Sequence, residues 1–71
     1  MPKLYSSKAI VKVLMAKGFV LASQKGSHIK LRKIGAHTLT VIVPDNRKEV
    51  PVGTFRSICR QSQLLQEDFE N

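Results

Sequence analysis

The sequence predicts an α+β fold: a helix, three antiparallel strands and a second helix, with the helices covering one face of the sheet. Three observations carry that reading. Within residues 27–33, His28 to Arg32 alternate polar and apolar side chains, the pattern of a strand with one buried face. Residues 38–43 are rich in β-branched side chains, which fit a pleated surface. Apolar residues on either side of this stretch recur at the spacing of amphipathic helices.

The elements follow in order. Ser6 and Ser7 are good N-caps, because a serine hydroxyl accepts from a free N–H of the first helical turn. A helix is expected from there to about Lys17. Ile10, Val13 and Leu14 form its core stripe, while Lys8 and Lys12 share the outer face. Gly18 stands where a helix end calls for a positive φ. Residues 19–23 are apolar, bounded by glycines and too short for a helix, so they read as the first strand. Gly26 turns the chain into Ser27-His28-Ile29-Lys30-Leu31-Arg32-Lys33, the second strand. A turn around Gly35 leads to the third, residues 38–43, which Pro44 ends.

Residues 45–51 read as a polar loop. From about Gly53 a second helix puts Phe55, Ile58, Cys59 and Ser62 on one stripe, with Arg56 and Arg60 outward. The tail, residues 64–69, can form a short helix that sets Leu65 and Phe69 against the core. No linker, repeat or low-complexity tract divides the chain, so residues 1–71 are read as a single domain. The helices cover one sheet face and leave the other to solvent.

Size and composition narrow the function. A chain this short buries only about 60% of its unfolded surface, so a surface or a shallow groove must carry the activity. Cys59 is the lone cysteine, which excludes an internal disulfide and a cysteine-built zinc site. An unpaired thiol fits a reducing compartment. No run approaches the roughly 18 apolar residues of a membrane helix, and the opening residues 1–7 lack the apolar region of a signal peptide. A cytoplasmic protein with no membrane partner is expected. No glycine-rich phosphate loop, carboxylate pair or metal-ligand cluster is present, so no cofactor or metal is expected.

The formal charge of +7, with a pI near 10.1, points to a polyanionic partner. Its distribution is uneven. Every acid, namely Asp45, Glu49, Glu67, Asp68 and Glu70, lies after Pro44, and the stretch before it carries only cations.

The second strand concentrates the chemistry. Side chains alternate across a strand, so Ile29 and Leu31 must face the helices, which puts His28, Lys30 and Arg32 on the open face. Lys25, Gly26 and Ser27 lead directly into His28. An imidazole among phosphate-binding cations suits RNA cleavage, because RNA supplies its own nucleophile, the 2′-hydroxyl. The protein has only to hold the phosphate, move a proton and stabilise extra negative charge. His28 is therefore the candidate catalytic residue, and Lys25, Gly26, Ser27, Lys30 and Arg32 the candidate RNA-binding residues. A strand histidine is more often a surface or hydrogen-bonding residue, and spacing does not choose between the two. His37 reads as a loop residue and Cys59 as part of the core.

The order of motifs resembles the HicA, or YcfA-like, toxin family. The residues concerned are Gly18-Phe19, Lys25-Gly26-Ser27-His28, Val43-Pro44 and Pro51-Val52-Gly53-Thr54-Phe55-Arg56-Ser57-Ile58. The likeness covers nearly the whole chain, including residues 65–69. It implies a fold like a double-stranded-RNA-binding domain, an mRNA endoribonuclease (mRNA interferase) activity, and neutralisation by a HicB-type antitoxin. The family's catalytic histidine, that of Gly-Ser-His, falls on His28. Many members carry a second histidine shortly after the Val-Pro, where this chain has Asp45 and Asn46. Asparagine can hydrogen-bond a phosphate or base but cannot shuttle a proton. The competing classes are a non-catalytic RNA-binding module and a small DNA-binding repressor. Three strands between the helices argue against the helix-turn-helix of the latter.

Overall fold

The computed structural model describes residues 4–70; residues 1–3, within the stretch inspected for a signal peptide, and residue 71 lie outside the described residues. The order of elements is α1 (Ser7–Ala16), β1 (Val20–Lys25), β2 (His28–Lys33), β3 (Leu39–Pro44), α2 (Val52–Ser62) and a closing 3₁₀ turn (Gln66–Phe69). The strands form one antiparallel sheet in the order β1-β2-β3. The α+β architecture is as the sequence predicts.

Ser6 caps α1, its hydroxyl accepting from the N–H of Ala9 at 3.1 Å. Ser7, the other expected cap, is the first helical residue and is buried. Its Oγ donates to the carbonyl oxygen of Pro44 and accepts from the N–H of Arg47. At the other end Gly18 has φ +99°. Gly18 and Phe19 donate their N–H groups back to the carbonyls of Met15 and Leu14 at 3.1 and 3.0 Å. That is a Schellman closure, which satisfies helix-end carbonyls and drops Phe19 into the core beside Leu14. β1 consequently starts at Val20 rather than at Phe19.

Ile10 and Leu14 of α1, Phe55 and Ile58 of α2, and Leu31, Val41 and Val43 of the sheet make the core, closed by Phe19, Val50, Tyr5 and Phe69. A fully buried side chain of this kind contributes about 1.5–3 kcal/mol. Phe55 stands 5.1 Å from Tyr5 and 5.0 Å from Phe69, ring centre to ring centre. Each such pair adds about 0.5–1.5 kcal/mol beyond its area. This trio fastens both ends of the described chain to α2. Cys59 packs against the same core, half-buried, and burial, with the Asp68 carboxylate second, pushes its thiol above the ordinary range.

The tail departs from expectation at Leu65. Gln63 takes a left-handed conformation (φ +60°), which ends α2 and swings the chain out. Leu64 packs against the core, whereas Leu65 is 63% exposed, its N–H held by the Asp68 carboxylate at 2.8 Å. Phe69 is buried as expected. α1 and α2 both pack on β3, so β1 at the far edge is exposed along its whole length. Ala22 forms a bulge in it, where the register with β2 shifts between Leu21 and Ser23.

Candidate active site

The register of the sheet arranges the open face in rows. His28 pairs with Lys25 on one side and Pro44 on the other; Lys30 lies between Ser23 and Ile42; Arg32 lies between Val20 and Thr40. Directly paired residues point to the same face, and successive rows are about 7 Å apart, two residues of strand rise. Lys25 is thus brought beside His28 across the hairpin, while Lys30 and Arg32 continue the line of charge down β2. His28, Lys25 and Arg32 are exposed, and Lys30 is half-buried.

Local structure holds the imidazole's backbone in place. Gly26 adopts φ +58°, a conformation glycine enters without strain, and with Ser27 it makes the two-residue turn joining β1 to β2. A Cβ on Gly26 would meet nothing within 4 Å, so the glycine serves the turn and leaves open space above it. The carbonyl of Ser27 accepts from the N–H of Asp45 at 2.7 Å, and the Asp45 carboxylate accepts from Gln24 Nε2, also at 2.7 Å. Asp45 therefore clamps the turn to the loop after β3.

On its other side His28 borders a groove of about 350 Å³. Ile42 and Pro44 of β3 line it, with Arg47 and Pro51 from the loop and Thr54, Ser57 and Gln61 from α2. The α2 residues lie on one helical stripe, beside the apolar stripe that packs on the core. Gln61 Oε1 accepts from the N–H of Ile42 at 3.1 Å, which docks α2 along the free edge of β3. Ser57 Oγ donates to the carbonyl of Gly53 and accepts from Arg60 Nη2, both at 3.3 Å. Among the described residues, no carboxylate and no second histidine lines the groove.

The sequence reading named Lys25, Gly26, Ser27, His28, Lys30 and Arg32, all of which the fold places on one hairpin, at the end of β1, its turn and β2. It passed over Arg47, Thr54, Ser57 and Gln61. Asn46, where the resembling family often has a histidine, does not border this groove. It adopts φ +57° and lines a separate hollow at the start of α1, with Ser6, Ser7, Lys8 and Ile29. Ile29, on the opposite face of β2, lines the same hollow as Asn46, and Arg47 borders both that hollow and the groove of His28. His37 is exposed in the loop between β2 and β3. Among the described residues no three His, Cys, Asp or Glu side chains form a metal-ligand group, and no helix is long and apolar enough to cross a membrane.

Comparison with protein families gives a match over residues 7–64 to the HicA toxin of bacterial toxin-antitoxin systems. Curated proteins give no match. The matched span runs from the first residue of α1 through α2 to Leu64, and so contains the turn, the three strands and the groove. The chain belongs to the HicA toxin family of bacterial toxin–antitoxin systems.

Proposed function

We propose that this toxin is an mRNA endoribonuclease, with His28 as its proton-transfer residue. The observation that carries the reading is the row in which an exposed imidazole stands between Lys25 and a groove, with Lys30 and Arg32 continuing the same face.

The chemistry needs little else. The 2′-hydroxyl of the RNA attacks the adjacent phosphorus, the bond to the 5′-oxygen breaks, and the products are a 2′,3′-cyclic phosphate and a 5′-hydroxyl. Two protons must move, one from the 2′-hydroxyl and one to the 5′-oxygen. An imidazole serves one transfer at neutral pH, and water serves the other, since no second proton-transfer group among the described residues lines the groove. Lys25, Lys30 and Arg32 bind the RNA backbone, and the open turn at Gly26 and Ser27 lets a strand approach His28. Arg47, at the groove, adds positive charge where the phosphorane gains negative charge. A toxin that cuts each message only a few times tolerates the slow turnover of a single proton-transfer residue.

A toxin of this family has a cognate antitoxin. We infer a HicB-type protein that presents an acidic or polar surface to the rows of His28, Lys30 and Arg32, which speeds association and denies RNA access. The direct experiment is to incubate the purified protein with a defined RNA and map the cut ends. Cuts ending in 2′,3′-cyclic phosphate support the mechanism; 3′-hydroxyl ends contradict it. Binding without any cutting would favour the non-catalytic RNA-binding module.

A further inference from the structure

The cleavage chemistry uses only the part of the groove next to His28. Pro44 lies directly beside His28 in register, Ile42 one row further, and Gln61 reaches over to the N–H of Ile42. The groove thus extends from the imidazole along β3, between the open face of the sheet and the polar stripe of α2.

Two features give this extension a chemistry of its own. Its floor is apolar: Ile42, 36% exposed, stands next to Lys30, and Pro44 adjoins it. Its wall is a hydrogen-bond donor of fixed direction. The N–H of Ile42 engages Gln61 Oε1, which turns the other end of the amide outward. That NH₂ has no partner among the described residues and can only donate. An apolar floor under a donor, at the end of a row of phosphate-binding cations, suits a flat heterocycle with acceptors on its rim. About 350 Å³ is at the lower end of small-ligand sites, enough for one such ring.

We propose that this groove seats one nucleobase of the RNA, adjacent to the phosphate at His28, and that Gln61 selects a base bearing a ring carbonyl over adenine. The carbonyl oxygens of uracil, guanine and cytosine accept from the Gln61 NH₂. Adenine has no carbonyl and offers only ring nitrogens. N1 and N7 both sit beside the exocyclic amine, which crowds a second NH₂ donor, so adenine is disfavoured rather than excluded. Ile42 and Pro44 take the face of the ring in van der Waals contact. The proposal rests on the ribonuclease reading for the placement of the scissile bond, although the base contact itself does not depend on cleavage.

The test is to cleave a random-sequence RNA pool with the native protein and with Gln61→Glu, then sequence the cut ends. Glutamate keeps the acceptor that holds Ile42 N–H, so the docking of α2 survives while the donor becomes an acceptor. Gln66→Glu, on the exposed closing turn, controls for the added charge. The native protein is expected to disfavour adenine about three- to tenfold at one position beside the cut, the effect of one neutral hydrogen bond. Gln61→Glu is expected to lose or reverse that preference, and Gln66→Glu to keep it.

Ile42→Ala, which leaves the backbone N–H in place, is expected to lower kcat/KM several-fold with an unchanged salt dependence. A native profile without base preference, or a Gln61→Glu profile like the native one, overturns the subsite. If the native protein does not cut at all, the same comparison is made by binding of short oligonucleotides that differ at one base. Discrimination lost in Gln61→Glu then upholds the subsite and removes only the cleavage reading. Equal binding of every base overturns both.

Discussion

The backbone N–H of Asp45 donates to the carbonyl oxygen of Ser27 at 2.7 Å, so the loop after β3 holds the turn from which His28 emerges. The Asp45 carboxylate completes the clamp through Gln24. Charge and positioning here make opposite forecasts. Removing a carboxylate near a cationic face should tighten RNA binding, whereas loosening the turn should slow cleavage. Asp45→Ala is expected to bind RNA as well as or better than the native protein, to cut several-fold more slowly, and to lose about 1 kcal/mol of stability. Asp45→Asn, which keeps an acceptor for Gln24, should recover most of the rate. Binding and turnover measured separately decide the matter; an unchanged rate in Asp45→Ala contradicts the clamp.

RNA affinity is expected to fall steeply with salt. Each neutralised phosphate contributes about 0.7 to the log–log slope for single strands. Replacing Lys25, Lys30 and Arg32 together by glutamine should therefore reduce the slope by about 2 and weaken binding at low salt. An unchanged slope would place the RNA on another face.

Asn46→His is expected to leave cleavage within twofold of the native rate. The position borders the hollow at the start of α1 and not the groove of His28, so a histidine there is expected to take no part at the reacting phosphate. Its left-handed backbone suits asparagine. Cleavage should also persist in excess chelator. A marked gain in Asn46→His would mean that the loop brings residue 46 to the site, and activity lost on chelation would require a metal.

Cys59 should react slowly while the protein is folded. Burial, and secondarily the Asp68 carboxylate, raise its thiol above the ordinary value of 9.0, so the folded state disfavours the thiolate. A raised folded-state value means that this contribution to stability is intact below the unfolded thiol's range and is lost as pH rises through the folded one. Alkylation by iodoacetamide at pH 8 is expected to be several-fold slower in the native protein than in denaturant. Equal rates would contradict the packing of Cys59 against the core.

Much of this was legible in local pattern. Alternation from His28 to Arg32 decides which face His28, Lys30 and Arg32 occupy, because a strand's side-chain period of two leaves no freedom once Leu31 is buried. Ser6 and Gly18 marked the ends of α1 for equally local reasons. Lys25 was placed near His28 through the short Gly26–Ser27 turn. What local pattern could not supply is the far wall of the groove. Thr54, Ser57 and Gln61 line the groove of His28 because α2 packs on β3, through Phe55 and Ile58 in the core and through Gln61 at Ile42, 19 residues away in the chain. Their helical spacing beside the Phe55–Ile58 stripe was the available signal. Leu65 was misplaced because its direction depends on the left-handed Gln63, a conformation that glutamine seldom adopts.

The most direct measurement is RNA cleavage by His28→Ala beside a melting curve of the same preparation. His28 is exposed and supports no core contact, so its removal should change stability by no more than about 0.5 kcal/mol. Cleavage should fall at least about 100-fold, the usual minimum for a lost proton-transfer residue, and growth arrest on expression should disappear with it. A folded His28→Ala protein that cuts RNA at the native rate would contradict the assignment of His28 as the catalytic residue.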